Sequence, residues 1–421
     1  MTKETFVIIL AAGKGTRMKS DIPKVMHELC GRPMLSYVLD AVKAARLRNV
    51  TVIVGYKDKL VRSVFGDKVK SIKQKKLTGT AEAVKAARGK LKSHQGNVLV
   101  LYGDNPLITP ETITNLLVQH TKSDAACTLL TALVDNARGY GRIVRGYKGD
   151  VIAIVEEKDA TEKELKIKEI SVGAYCFKSE ELLEALDKIK PNNQKKELYL
   201  TDVVDVLAKK ELVIEAAGVE YKEEALGINS RFDLAQASRI LSLRMMKDLM
   251  DDGITIVDPH TTHIASNVKI GKDTVIHPFT IIDKDVVIGK KCSLGPFCHL
   301  RSDTTIKDNI EIGNFIELNR TSIDSDCFVK HFSYLGDATI GKRVNIGAGV
   351  VTANFDGKKK HKTSIKDGAF IGSDTVLIAP VKVGKSAVTA AGSIVTKNKN
   401  VPDKRVVAGI PAKLLEKKKK R

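Results

Sequence analysis

Ile264-Ala265-Ser266-Asn267-Val268-Lys269-Ile270-Gly271-Lys272-Asp273-Thr274-Val275-Ile276 opens the stretch that decides the fold. The beat continues through Ile282, Ile288, Leu294, Leu300, Ile306 and Ile312 to Leu318, so every sixth position is Ile or Leu. Glycine follows several of them, as in Ile270-Gly271, Ile288-Gly289 and Ile312-Gly313. Six is not a multiple of 3.6, which excludes an amphipathic helical array, and no hairpin sheet has this period. A hexapeptide period means one short flat strand and one corner per repeat, with the aliphatic side chain pointing into a prism. Three repeats close a coil, and each coil buries its Ile and Leu row only against the coils above and below. The beat returns at Ile371, Leu377, Val383 and Val395. In between it breaks. Leu318 to Ile323 and Leu335 to Ile340 are steps of five, and Ala353-Asn354-Phe355-Asp356-Gly357-Lys358-Lys359-Lys360-His361-Lys362 fits no repeat. That segment reads as a basic loop extruded from the prism. Because these irregularities flank His331, they mark a working face.

The first half has a different grammar. Phe6-Val7-Ile8-Ile9-Leu10 is wholly apolar, as a buried parallel strand is. Ala11-Ala12-Gly13-Lys14-Gly15-Thr16-Arg17-Met18 follows, and its small residues let backbone N–H groups approach an anion. Arg17 and Lys24 can neutralise phosphate oxygens. The spacing matches neither the dinucleotide fingerprint nor the Walker loop. Val50–Val54 and Val98–Tyr102 read as further strands, the second ending in Gly103-Asp104. A carboxylate just past a buried strand lies where open α/β sheets bind ligands. Asp104 is either a turn residue or, beside a phosphate loop, a Mg²⁺ ligand. From Asn229 to Gly253 the apolar residues, Phe232 and Met246 among them, suit a connecting helix. The domains expected are 1–228, a linker at 229–253, and 254–421.

Composition sets bounds. A chain of 421 residues suits two cores rather than one. No apolar run is long enough to span a membrane, and the first ten residues lack the pattern of a secretory signal. The six cysteines form no Cys-x-x-Cys pair, so reduced thiols in the cytoplasm are expected rather than zinc or disulfides. The net charge of +20 invites a nucleic-acid partner. Against it, the lysines are dispersed, Trp is absent, and aromatics make up 5% of the chain, which leaves no base-stacking platform. The densest run, at 417–421, reads as a solvated end. Anionic small substrates account for part of the basic balance.

Together these motifs resemble the bacterial bifunctional N-acetylglucosamine-1-phosphate uridyltransferase / glucosamine-1-phosphate N-acetyltransferase family over almost the whole chain. The pieces that carry the likeness are Leu10 to Met18 with Pro23-Lys24, Gly79-Thr80, Leu101-Tyr102-Gly103-Asp104, Gly139-Tyr140-Gly141-Arg142 and Val155-Glu156-Glu157-Lys158-Asp159-Ala160. In the repeat region they are Gly313-Asn314-Phe315, His331 to Asp337, Asn345 to Gly349 and Phe370 to Asp374. The resemblance implies an α/β nucleotidyltransferase domain with a Rossmann-like mixed sheet, followed by a left-handed parallel β-helix. It implies that Leu10, Ala11, Ala12, Gly13, Gln74, Gly79 and Thr80, with Tyr102 and Gly103, hold UTP. Asp104 and Asn229 would ligate Mg²⁺, while Gly141, Glu156 and the residue at Ser171 would hold N-acetylglucosamine 1-phosphate. For the β-helix it implies acetyl transfer from acetyl-CoA to glucosamine 1-phosphate. His331 would be the base, Arg301, Asn319, Tyr334, Asn345 and Lys360 would bind the acceptor, and Asn354, Phe355, Ser373 and Ala391 would bind the coenzyme. Family members are trimers.

The chain departs from the family pattern at several positions. Ser171 stands for an Asn, Asn319 for a phosphate-binding Lys, and Phe355 for a Tyr. Ala408-Gly409-Ile410-Pro411-Ala412-Lys413 replaces the family's coenzyme-binding Arg region. Arg320 is the neighbouring cation, but alternation along a strand sends it to the face opposite Asn319. Two other readings also fit the sequence. One is a monofunctional sugar-1-phosphate nucleotidyltransferase whose β-helix only oligomerises it. The other is a non-catalytic binder of polyanions.

Overall fold

The computed structural model describes residues 4–66, 69–191, 193, 194 and 196–415. The basic run at 417–421 lies outside the described residues. The chain divides into two compact units, Met1–Ser238 and Arg239–Arg421, and the division falls within a helix, Arg231–Asp251. Met246 in that helix is buried, whereas Phe232 is 71% exposed and adds nothing to a core. No described helix is long and apolar enough to cross a membrane.

In the first unit nine strands form one sheet. In chain order they are β1 (Thr5–Ala11), β2 (Asn49–Val54), β3 (Ser71–Lys73), β4 (Asn97–Tyr102), β5 (Cys127–Leu133), β6 (Arg142–Arg145), β7 (Val151–Val155), β8 (Glu169–Lys178) and β9 (Ile214–Gly218). The order is β9-β5-β8-β4-β1-β2-β3, with β6 pairing β8 and β7 beside it. β1 runs parallel to β2 and β4, while β8 runs antiparallel to β4 and β5, which makes the sheet mixed. Val7, Ile8 and Ile9 are fully buried, as strands covered on both faces require. Leu10 lies level with both Ile53 and Tyr102, so β1, β2 and β4 end along one edge. Whatever follows those three strands is therefore brought together there. β8 is irregular between Ser171 and Tyr175, which turns this part of the strand out of regular pairing.

The second unit is a parallel β-helix. Leu294 pairs with Ile276 one coil below and with Ile312 one coil above, three repeats of six in each direction. Of the ten aliphatic positions from Ile264 to Leu318, all are buried except Ile270, which is half-buried at an end of the prism. Between Leu377 and Val395 the inward position that breaks the aliphatic beat is Thr389. It is buried and accepts from Gly372 N at 3.1 Å, so its hydroxyl is satisfied. The corners require left-handed backbone once per repeat. Asn267, Asp273, Phe279, Asp285, Lys291, Phe297, Asp303, Asn309 and Phe315 all have positive φ, at a spacing of six. Asn and Asp tolerate that region, but phenylalanine does so at a cost. Phe279, Phe297 and Phe315 stack on one another with centroids 4.8 and 5.3 Å apart, which offsets part of it.

The broken beat has a structural cause. The strands Glu311–Asn319 and Phe328–Gly336 each carry on across a corner and join two faces of the prism, and the short step follows each of them, at Arg320 and Asp337, which have positive φ. Their coil is one residue shorter, with Ile312 opposite Val329. The step from Ile346 to Ile371 is seven residues longer, and the surplus contains the extruded loop.

Because each coil is held only by its neighbours, one truncated core position has a full packing cost. Leu294→Ala should lower stability by about 2–5 kcal/mol. Val287→Thr, on an outward position 40% exposed, should stay within about 0.5 kcal/mol. Denaturant unfolding of the whole protein distinguishes the two.

Candidate functional site

At the common edge of β1, β2 and β4, two adjoining cavities open in the first unit. One, of about 440 Å³, is lined by Leu10, Ala12, Gly13, Arg17 and Lys24 on one side. Gln74, Gly79, Thr80 and Tyr102 line its other side. Ala11 is buried within β1 and lines neither cavity, and Gly103 contributes its backbone, donating its N–H to Leu10 O at 2.9 Å. Gly79 has φ +122°, and a Cβ there would strike the Leu198 carbonyl, so only glycine fits. Gln74, nearly buried, donates to the carbonyls of Lys76 (2.8 Å) and Gly79 (3.1 Å) and so fixes this loop. The second cavity, about 480 Å³, is lined by Gly141, Glu156 and Ser171. Thr80, Tyr102, Asp104 and Asn229 line both.

Four sequence-selected polar residues meet where the cavities join. Arg17 Nη2 donates to Asn229 Oδ1 at 2.7 Å, and Lys24 Nζ donates to the same oxygen at 2.9 Å. Lys24 also forms an ion pair with Asp104. Asn229 is itself held from behind, since its backbone N–H and that of Ser230 both donate to Asp233 Oδ2 at 2.9 and 2.8 Å. Ser230 Oγ in turn accepts from Asp233 N, so the first turn of Arg231–Asp251 is capped reciprocally. A carboxylate oxygen and an amide oxygen thus converge on one cationic group. Two hard oxygen donors placed in this way could hold a Mg²⁺ ion, which takes one or two protein ligands and completes its shell with phosphates and water. Among the described residues no cluster of three or more His, Cys, Asp or Glu offers a self-contained metal cage.

Sequence reasoning missed several groups here. Thr201 donates to Glu156 Oε1 at 3.2 Å, and Tyr175 shares a 2.7 Å hydrogen bond with Ser171 Oγ. Tyr199 and Glu197 line both cavities. None lies in a Gly-rich or charged motif, and no pattern in the sequence marks them. Burial, and then the negative charge of Glu156, push the Tyr102 hydroxyl well above its usual range, so it acts as a neutral hydrogen-bonding group. Beyond Glu156 lies a larger cavity, about 670 Å³, which includes Asp202. Burial and then the Glu156 charge raise that carboxyl to about 6.

In the second unit His331 is exposed, midway along Phe328–Gly336, where that strand passes the corner, and opposite Asn314. Above it on the same edge, Gly349 N donates to Phe332 O, Asp374 N to Ala348 O, and Gly392 N to Ser373 O. His331, Ser373 and Ala391 therefore stand on one edge, with the coil of Ala348 and Gly349 between the first two. Tyr334, on the face beyond, lies between Glu317 and Val351. Arg301 pairs with Glu317 at 2.9 Å. Asn345 lies on the face before the corner, between Phe328 and Phe370. Lys360 and Phe355 are bridged to each other in the extruded loop and are exposed, while Asn354 at its root is buried and donates to Asp337.

One expectation is overturned. Alternation was expected to send Arg320 away from Asn319, but the strand ends at Asn319 and Arg320 has φ +51°. The turn brings the guanidinium back beside its neighbour, and Nη1 donates to Asn319 Oδ1 at 2.7 Å. Nε and Nη2 grip both oxygens of Asp337 at 2.7 and 2.9 Å, and this guanidinium holds the Asp337 carboxyl below the usual carboxylate range. All six cysteines are free thiols. The replaced C-terminal segment forms a closing hairpin, with Val407 opposite Leu414 and Ala408 opposite Lys413.

Residues 7–199 match the MobA-like NTP transferase domain. Over the whole chain, the Bifunctional protein GlmU of Shouchella clausii is 42% identical across 424 residues, 93% of each chain. That of Geobacillus sp. is 42% identical across 424 residues, covering 93% of this chain and 92% of its own. That of Fervidobacterium nodosum is 42% identical across 451 residues, covering 99% and 97%. With identity at this level running through both the nucleotide-cleft unit and the β-helix, the chain belongs to the bifunctional GlmU family.

Proposed function

We propose that residues 1–228 transfer a uridylyl group from UTP to N-acetylglucosamine 1-phosphate, and that residues 254–421 acetylate glucosamine 1-phosphate from acetyl-CoA. Residues 229–253 join the two. The observation that carries the first assignment is the convergence of Arg17, Lys24, Asp104 and Asn229 between two cavities. One cavity suits a nucleotide and the other a sugar. The sugar phosphate oxygen attacks the α-phosphorus of UTP, the bond to the β-phosphate oxygen breaks, and pyrophosphate leaves. The attacking group is already an anion, so no general base is needed. Arg17 and Lys24 neutralise charge on the phosphates, and Gly141 with Glu156 orients the sugar. Asp104 and Asn229 would hold Mg²⁺, which supplies further neutralisation of phosphate charge.

In the β-helix an ammonium must lose its proton before its nitrogen attacks the thioester carbonyl and the thiolate of coenzyme A departs. We assign the proton transfer to His331, acceptor binding to Arg301, Tyr334, Asn345 and Lys360, and coenzyme contacts to Asn354, Phe355, Ser373 and Ala391. Asn345 and Tyr334 lie on different faces of one prism, which fits a site completed by a neighbouring copy in a homotrimer. The substrates are cytoplasmic metabolites, and we place the enzyme there.

Three outcomes test these assignments. Pyrophosphate release should need UTP, Mg²⁺ and N-acetylglucosamine 1-phosphate together. Asp104→Ala should lower it by at least about a hundred-fold, as loss of a transition-state charge partner does. Undiminished activity, or preference for ATP or GTP, would overturn the assignment. Thiol release from acetyl-CoA should stop in His331→Ala while uridylyl transfer continues. If the unmodified protein releases no thiol at millimolar glucosamine 1-phosphate, the β-helix only oligomerises the enzyme. Sedimentation should give a trimer, and a stable monomer at micromolar concentration would remove the shared site.

A further inference from the structure

The two cations of the uridylyl-transfer site sit on separate short turns. Arg17 belongs to Thr16–Met18 and Lys24 to Lys24–Met26. Each turn is closed by only two backbone hydrogen bonds, Met18 N to Gly15 O at 2.9 Å with Lys19 N to Thr16 O at 3.1 Å, and Met26 N to Pro23 O at 2.8 Å with His27 N to Lys24 O at 3.2 Å. Such short turns do not fix a side chain by themselves. They pack closely, since a Cβ on Gly15 would lie 2.6 Å from Lys24 Cβ. A third residue touches both. Arg231 Nε donates to Met18 O at 3.3 Å, at the end of the first turn, and Nη1 donates to His27 Nδ1 at 3.2 Å, at the end of the second. Burial, and then the Arg231 charge, lower the proton affinity of His27, so the ring is neutral and Nδ1 is free to accept. Arg231 also begins the helix that carries Asn229 two residues earlier, the common acceptor of Arg17 and Lys24.

We propose that Arg231 is a positioning residue that clamps the Arg17 and Lys24 turns to the helix start bearing Asn229. It does not touch substrate. It fixes the spacing of the two phosphate-neutralising cations, where a displacement of about 1 Å can cost on the order of a hundred-fold in rate. This inference rests on the uridylyl-transfer reading.

The experiment follows pyrophosphate release by Arg231→Ala, Arg231→Lys, His27→Asn and His27→Leu in the full chain. Arg231→Ala should lower kcat roughly ten- to a hundred-fold. KM for N-acetylglucosamine 1-phosphate should hold within about twofold, because Gly141 and Glu156 do not contact Arg231, and the melting temperature should be unchanged. Millimolar guanidinium ion should restore part of the rate. Arg231→Lys, with one cationic group for two acceptors, should fall between. His27→Asn keeps an acceptor oxygen near the place of Nδ1 and should retain activity, whereas His27→Leu should follow Arg231→Ala. Unchanged kcat in Arg231→Ala, or a loss that tracks the melting temperature with no rescue, overturns the clamp. If the unmodified protein makes no pyrophosphate, the uridylyl reading fails instead. The clamp is then judged by hydrogen exchange at the Lys19 and His27 amides, where unchanged rates in Arg231→Ala overturn it.

Discussion

Parallel strand pairing sets where chemistry can occur in both units. A parallel ladder satisfies buried backbone groups only if successive strands run the same way, which sends every connection around the outside and aligns the strand ends. In the first unit Leu10, Ile53 and Tyr102 are level, so the small-residue loop after β1 and the Gly103-Asp104 turn after β4 reach the same edge. In the second unit the ladder runs from coil to coil. A side chain on the corner of one coil is therefore stacked below its counterpart in the next, and His331, Ser373 and Ala391 come to share an edge although they are far apart in sequence.

The fold was legible because each unit repeats a simple rule. An Ile or Leu every six residues admits one architecture, and the wholly apolar run before a Gly-rich turn admits few. Residues picked from local motifs are brought together where those motifs end adjacent strands, as with Arg17, Lys24 and Asp104. What escaped were groups brought in by packing. Thr201 reaches Glu156 across the cavity, and Tyr175 meets Ser171 through a strand irregularity. Neither pairing leaves a periodic or compositional trace. Arg320 failed differently. Alternation is a rule for strand interiors, and the strand stops one residue before it.

Local consistency also explains why Asn229 can receive two cations. Its backbone is pinned by Asp233, whose side chain caps the following helix, so the carboxamide is held by the same interactions that start the helix. The residue is thereby part of a rigid element rather than a free loop.

The two sites differ in how their cations are compensated. At the junction of the nucleotide cleft, Lys24 is paired with Asp104, whereas Arg17 donates to the neutral amide of Asn229. On the β-helix, Arg301 is paired with Glu317 and Arg320 is gripped by both oxygens of Asp337. A phosphate arriving there must share each guanidinium with a carboxylate already bound to it, and Asn319 contributes no charge of its own. Lys360, exposed on the extruded loop, adds its charge to that of Arg320 in holding the Asp337 carboxyl below the usual range. The surplus residues between Ile346 and Ile371 thus bring a further cation to the Arg320–Asp337 pair.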